Sequence, residues 1–242
     1  MSRETGECHA IFVLGMHRSG TSCLAGSLQR RGLYLGDVQE SNPHNRRGNR
    51  ESRRIMYLND AVLAHSDGAW NRPPDKVSWT AEHAAERDLV IETLRGGGRT
   101  WGFKDQRTIL VLPFWLEGVR SPRFVGTFRH PTRVTCSLHK RDGMPSGEAF
   151  ALWHAYNRLI LDHHRRQPFP LLSFDLDEAD YPCAVDRVTR QLGLPGLEPG
   201  VEDFFDPDLR GGPHDPALFP EPPTAILRVH DELLEAGRKP IP

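Results

Sequence analysis

An unbroken apolar run, a glycine-punctuated loop and then an amphipathic segment constrain this chain more than any other feature. Residues 10–14 read Ala-Ile-Phe-Val-Leu and are closed by Gly15, the pattern of a strand covered on both faces in a parallel sheet. Over residues 21–31, Leu24, Ala25 and Leu28 share one helical face and Gly32 ends it. Strand, glycine loop and helix form the opening unit of an open α/β sheet. The rhythm recurs at 100–104 and 123–128, two further strand candidates, each followed by a polar turn and a helical segment. An amphipathic helix over 147–165, a strand over 169–174 and helices over 181–192 and 223–237 complete the pattern. The expected fold is α/β, a three-layer arrangement with a central, mainly parallel sheet flanked by helices. With 242 residues the chain can bury one substantial core, so a single domain over 1–242 is expected.

Between these elements lie two long stretches without periodicity, 34–49 and 66–80, rich in Gly, Asn, Pro and Arg or in turn residues. A helix is expected after the first, with Ile55, Leu58 and Val62 at helical spacing and Glu51 on the same face, four residues before Ile55. Another is expected over 81–94, ended by the glycines at 96–98.

The net charge of −1 provides no long-range field for nucleic acid or an anionic membrane, so any bound anion must be caught by a local cluster. The polar start of the chain is expected to be neither a secretion signal nor a membrane anchor, which points to the cytoplasm. Cys8, Cys23, Cys136 and Cys183 are widely spaced and read as small buried residues rather than a disulfide or zinc framework. Twelve histidines show no His-Glu-x-x-His or comparable spacing, and no metal is expected.

The loop after the first strand leads into a helix N-terminus, where backbone N–H groups and the positive end of the dipole favour an anion. Gly15-x4-Gly20-Thr21-Ser22 has the spacing of a Walker A loop, yet Thr21 stands where that motif requires Lys. Arg18 is then the only fixed positive charge in the loop, and Arg18, Ser19, Gly20, Thr21 and Ser22 are the candidate anion ligands. A second cluster runs from Phe128 to Leu138: Arg129 ends a strand, Pro131 suits a first helical turn, and Ser137 lies on the helix. Arg129 and Ser137 can share one phosphate, although taken alone the default for the pair is a surface arginine and a core serine.

Together, Gly-Met-His-Arg-Ser-Gly-Thr-Ser at 15–22 and Arg-His-Pro-x5-Ser-Leu-x2-Arg-Asp at 129–142 resemble the sulfotransferases that use 3′-phosphoadenosine-5′-phosphosulfate, PAPS. Segments 101–107, Trp-Gly-Phe-Lys-Asp-Gln-Arg, and 152–157, Leu-Trp-His-Ala-Tyr-Asn, look like parts of the bacterial, carbohydrate-type branch. The resemblance covers about residues 11–161. It implies a P-loop-like fold in which the first loop holds the 5′-phosphosulfate and Arg129 and Ser137 hold the 3′-phosphate, with 3′,5′-ADP as product.

Sulfuryl transfer needs an in-line acceptor, a base for its proton and positive groups around the departing phosphate. The loop meets the last need, and Lys104 and Arg107 are placed to assist, as in similar Lys-Asp-x-Arg segments. The family's usual Pro before that Arg is Gln106 here. A solvated strand-end lysine is the plain alternative for Lys104. Asn42-Pro43-x4-Gly48-Asn49-Arg50-Glu51 resembles the Asn-Pro-x-Gly-x-x-Glu loop of related bacterial enzymes and makes Glu51 the candidate base. Capping the helix or pairing with Arg54 is its structural alternative. His17 is the rival base, a loop histidine that otherwise serves packing or a phosphate-side contact. The acceptor is expected to be a hydroxylated carbohydrate or other small molecule, its pocket shaped by 34–49 and 66–80. Arg210-Gly-Gly reads as a cover over the nucleotide or as a plain turn. A P-loop kinase is the nearest rival, disfavoured by the missing Walker lysine; a nucleotide-binding module without catalysis is the third reading.

Overall fold

The computed structural model describes residues 9–41, 47–97, 100–210 and 220–239. Strand β1 (His9–Leu14) is followed by helix α1 (Thr21–Arg30), then by α2 (Arg53–His65) and α3 (Ala81–Gly96). Strand β2 (Thr100–Lys104) leads through a 3-10 turn (Gln106–Ile109) into α4 (Leu112–Gly118). Strand β3 (Arg123–Phe128) precedes α5 (Pro131–Asp142) and α6 (Ser146–Arg166), and β4 (Leu171–Ser173) precedes α7 (Asp180–Gln191) and the late helix α8 (Thr224–Arg238).

All four strands are parallel in the order β2-β1-β3-β4. Alternation along β1 explains the three layers. Phe12 and Leu14 enter one core with Phe103, Trp115 and Phe124, under α2 to α6 and α8. Ile11 and Val13 enter the other with Leu24, Leu28, Val125 and Val185, under α1 and α7. The unbroken apolar run is therefore required, because both faces of the strand are dry. The α/β, three-layer expectation is met.

Three details differ from the expectation. Residues 169–174 pair with β3 only over Leu171–Ser173, and the bonds from Gly126 N–H to the Pro170 carbonyl and from Phe174 N–H to the Phe128 carbonyl close the ladder at its two ends. Cys183 is exposed, while Cys23 and Cys136 are half-buried, since α7 turns Ala184, Val185 and Val188 inward and leaves Cys183 on its outer face. Glu51 precedes α2 instead of riding on it: Ser52 is the extended N-cap, and the Glu51 carbonyl accepts from Gln39 N–H at 3.0 Å. Its inward turn comes from this backbone pairing, not from helical spacing. Asn42, Pro43, Gly98, Gly211 and Gly212 lie outside the described residues.

In an open sheet, the strand whose neighbours lead away on opposite sides leaves a crevice at its C-terminal end. Here that strand is β1, flanked by β2 and β3. Register pairs Val13 with Lys104 and Leu14 with Gly126, so Lys104 and the loop after Leu14 meet at that end.

Candidate functional site

The loop from Gly15 to Gly20 holds its shape through backbone conformations that its sequence supplies. A Cβ on Gly15 would stand 2.5 Å from the Thr21 methyl and 2.7 Å from the Thr127 carbonyl oxygen. Gly20 is left-handed, with φ 82°, and forms the N-cap of α1; a Cβ there would lie 2.2 Å from the Phe174 ring. Arg18 is left-handed too, at φ 65°. The first turn of α1 has no acidic residue, so nothing there offsets the positive end of its dipole.

A cavity of about 710 Å³ opens beside this loop, within the size range of small-molecule sites. Arg18, Gly20, Thr21 and Ser22 line it, and so do His17, Glu51 and Arg129. Its described lining carries seven basic side chains (Arg18, Arg47, Arg107, Arg129, Lys140, Arg141, Arg210) against three carboxylates (Glu51, Asp206, Asp208). The local cluster that a nearly neutral chain needs for an anion is therefore present.

Glu51 lines this cavity and meets the fully buried Lys104. The Lys104 ammonium, with no exposed side-chain surface, donates to Glu51 Oε1, to the Asn49 carbonyl at 3.0 Å and to Ser22 Oγ at 3.1 Å. Position 21 holds no lysine; Lys104 reaches the start of α1 from the neighbouring strand. Gln106 Nε2 donates to the same Glu51 oxygen at 2.9 Å and to Thr21 Oγ1 at 3.3 Å. A proline at 106 would have neither bond. Asp105 shapes this turn by accepting from Arg107 N–H at 2.9 Å. Arg54, the alternative partner of Glu51, pairs with Glu86 instead. Arg107 is held by Asp60 and Asp105.

Arg18 and Ser137, 119 residues apart, are joined by a 2.7 Å bond from Nε to Oγ. Arg129 lines the cavity with Nε on Asp175 Oδ1 at 3.1 Å and Nη2 on the Arg210 carbonyl at 3.1 Å. Asp175 also accepts from the His130 N–H at 2.7 Å, which fixes the carboxylate at the start of α5. Burial lowers the Arg129 guanidinium, against the opposing pull of Asp175. Sequence reasoning did not single out Asp175 or Phe174, since residues just past a short edge strand carry no local signature. It noticed Gln106 only as a departure from proline.

His17 packs 4.6 Å from Trp70 and 6.1 Å from Tyr156, centroid to centroid. Burial holds its pKa well below 6.5, with further depression from Arg107, Arg141, Lys104 and Arg18, so the imidazole is neutral near pH 7. Its Nε2 and the Ser19 Oγ are buried without a hydrogen-bond partner among the described residues, a cost that a polar ligand would relieve. Cys23 also lines the cavity, and burial pushes its thiol up to about 11, so it is no thiolate nucleophile. Arg210 stacks on Phe174, Tyr181 and Phe205, its Cζ 4.7–5.2 Å from the three centroids.

The backbone as a whole superposes on the sulfotransferase domain of the Synechococcus PCC 7002 olefin synthase. The TM-score is 0.58 at 18% identity, covering 100% of this chain and 99% of that one. The fold is that of a sulfotransferase domain. The sulfotransferase domain from the curacin biosynthetic pathway gives a TM-score of 0.56 at 15% identity, over 97% of this chain and 99% of the other. No protein-family profile and no curated protein matches the sequence. Among the described residues, no group of three or more His, Cys, Asp or Glu could hold a metal, and no helix is long and apolar enough to cross a membrane.

Proposed function

We propose that this protein is a PAPS-dependent sulfotransferase acting on a hydroxyl of a carbohydrate or other small molecule. The observation that carries the reading is the pairing of Glu51 with Lys104 beside an anion loop in a cavity of basic excess. The donor fits the residues present: Arg18, Ser19, Gly20, Thr21 and Ser22 would hold its 5′-phosphosulfate, and Arg129 and Ser137 its 3′-phosphate. The buried Ser19 Oγ, without a partner among the described residues, and the concentration of arginines around the cavity support that fit. When bound, PAPS supplies an activated sulfuryl group.

Glu51 takes the proton of the acceptor hydroxyl. Its carboxylate is fixed from two sides by Lys104 and Gln106, which limits the reorganisation required when the proton arrives. Neutralising Glu51 leaves the Lys104 charge next to Ser22 with one fewer counter-charge, at the side of the loop where positive charge is useful. His17, neutral and buried against Trp70, is the rival proton acceptor, but burial and the cations around it disfavour its protonated form.

Two measurements test the proposal. Sulfate transfer from labelled PAPS to a broad acceptor panel is expected, and magnesium-dependent ATP consumption in its place would revive the kinase. Second, 3′,5′-ADP should raise the melting temperature far more than 5′-AMP, because only it carries the group assigned to Arg129 and Ser137. Equal shifts would remove that assignment.

A further inference from the structure

The donor reading leaves one set of cations in the cavity without a task. Arg18 and Arg129 serve the donor, and Arg107 is committed to Asp60 and Asp105. Arg47 is held by the Asp203 and Phe204 carbonyls and by Asp206, and Arg210 by the Leu176 carbonyl and the rings it stacks on. Lys140 and Arg141 remain. They follow Ser137 by three and four residues on α5, the spacings that share a helix face, and both line the cavity. Arg141 lies over Trp70, with its Cζ 5.5 Å from the ring centroid, and Trp70 in turn packs against His17. Trp70 belongs to the turn-rich segment between α2 and α3, braced by the paired backbone bonds of Ala69 and Arg72. This places Arg141 beside Trp70, the ring that backs the cavity-lining His17.

The charges here are only partly balanced. Arg141 bonds the neighbouring Asp142 through Nε and Nη2, leaving Nη1 without a partner among the described residues, and Asp142 does not line the cavity. Lys140 has no ion pair among the described residues. Arg141 is also one of the cations that hold the His17 pKa down, after burial and Arg107, as expected of a guanidinium whose charge is felt across the site. The described lining has four large apolar side chains, Met56, Phe174, Phe204 and Leu209, against its seven basic ones. A pocket for a neutral, lipid-like alcohol would be lined predominantly by hydrophobic groups.

We propose that the acceptor is a hydroxylated molecule that carries an anion of its own, a carboxylate or a phosphate, gripped by Arg141 with Lys140. The inference rests on the sulfotransferase reading for its hydroxyl. Its anion site can be measured separately. Arg141 offers a planar fork stacked on an aromatic face, suited to two-point contact with a carboxylate or phosphate, and Lys140 adds a point charge.

The experiment is calorimetric binding to the full chain saturated with 3′,5′-ADP, using matched pairs: 3-hydroxyhexanoate against its methyl ester, and glucose 6-phosphate against glucose. At least one anion should bind about tenfold or more tightly than its neutral partner, and which pair shows it separates carboxylate from phosphate recognition. R141A should abolish that preference and R141K restore part of it, while the melting shift caused by 3′,5′-ADP stays as in the parent protein. Neutral partners that bind as tightly as the anions, no binding of either member, or an R141A protein with the preference intact would overturn the proposal. If the anion preference is found but PAPS transfers sulfate to nothing, the anion site stands and the sulfotransferase reading falls.

Discussion

The Lys104 ammonium is hydrogen-bonded to the Glu51 carboxylate across 53 residues of sequence, and both side chains are almost fully buried. Removing one member of such a pair leaves an uncompensated charge in a dry site. K104M should therefore destabilise the fold by about 3–5 kcal/mol, measured by urea denaturation. The double variant E51Q/K104M should recover much of that loss, since no lone charge remains. Additive losses in the double variant would mean that the two side chains are not energetically coupled.

Glu51 as the proton acceptor makes a separate kinetic prediction. E51Q should lower the rate of sulfate transfer by about 10²–10⁴-fold, the usual contribution of a general base, while the 3′,5′-ADP melting shift is preserved. An undiminished rate would move the base to His17, for which H17Q is the matching variant.

Gly20 is the tightest point of the anion loop, with left-handed φ and the Phe174 ring where a Cβ would sit. G20A should cost at least ~1–3 kcal/mol from the backbone alone and weaken nucleotide binding by disordering the start of α1. Pairing it with F174L relieves the contact but not the dihedral strain, so only part of the stability should return. Full recovery would show that the φ requirement is unimportant.

His163 provides a pH test away from the cavity. It packs 4.4 Å from Phe124 and 5.7 Å from Phe169, centroid to centroid, and burial lowers its pKa from 6.5 to about 4. The unfolded chain therefore binds this proton more readily than the folded one. Stability from this residue is fully present above about pH 6.5 and is lost progressively as the pH falls toward 4. H163Q should flatten that part of the stability–pH curve, and an unchanged slope would assign it to other groups.

Much of the frame could be read locally. The run at 10–14 and the glycines at 15 and 20 announce strand, loop and helix because periodicity and backbone freedom are properties of neighbouring residues. The motif around Glu51 is legible in the sequence, but its inward turn is not helical: it comes from an extended segment paired with Gln39. Gln106 was visible as a substitution but its two bonds were not, since each needs a partner more than 50 residues away.

The sequence by itself determined the parallel α/β frame, the glycine-dependent turn of the first loop and the residue types that surround it. These depend on hydrogen-bonding geometry and apolar spacing within a few residues. Only the tertiary structure decided which charges face one another: Lys104 on Glu51, Arg18 on Ser137, Arg129 on Asp175, and Arg141 over Trp70. Those pairings follow from parallel register and from how α5 and the segments before α2 and α3 pack over the β1 end. Electrostatic contacts depend on distance in space, which the order of residues along the chain does not encode.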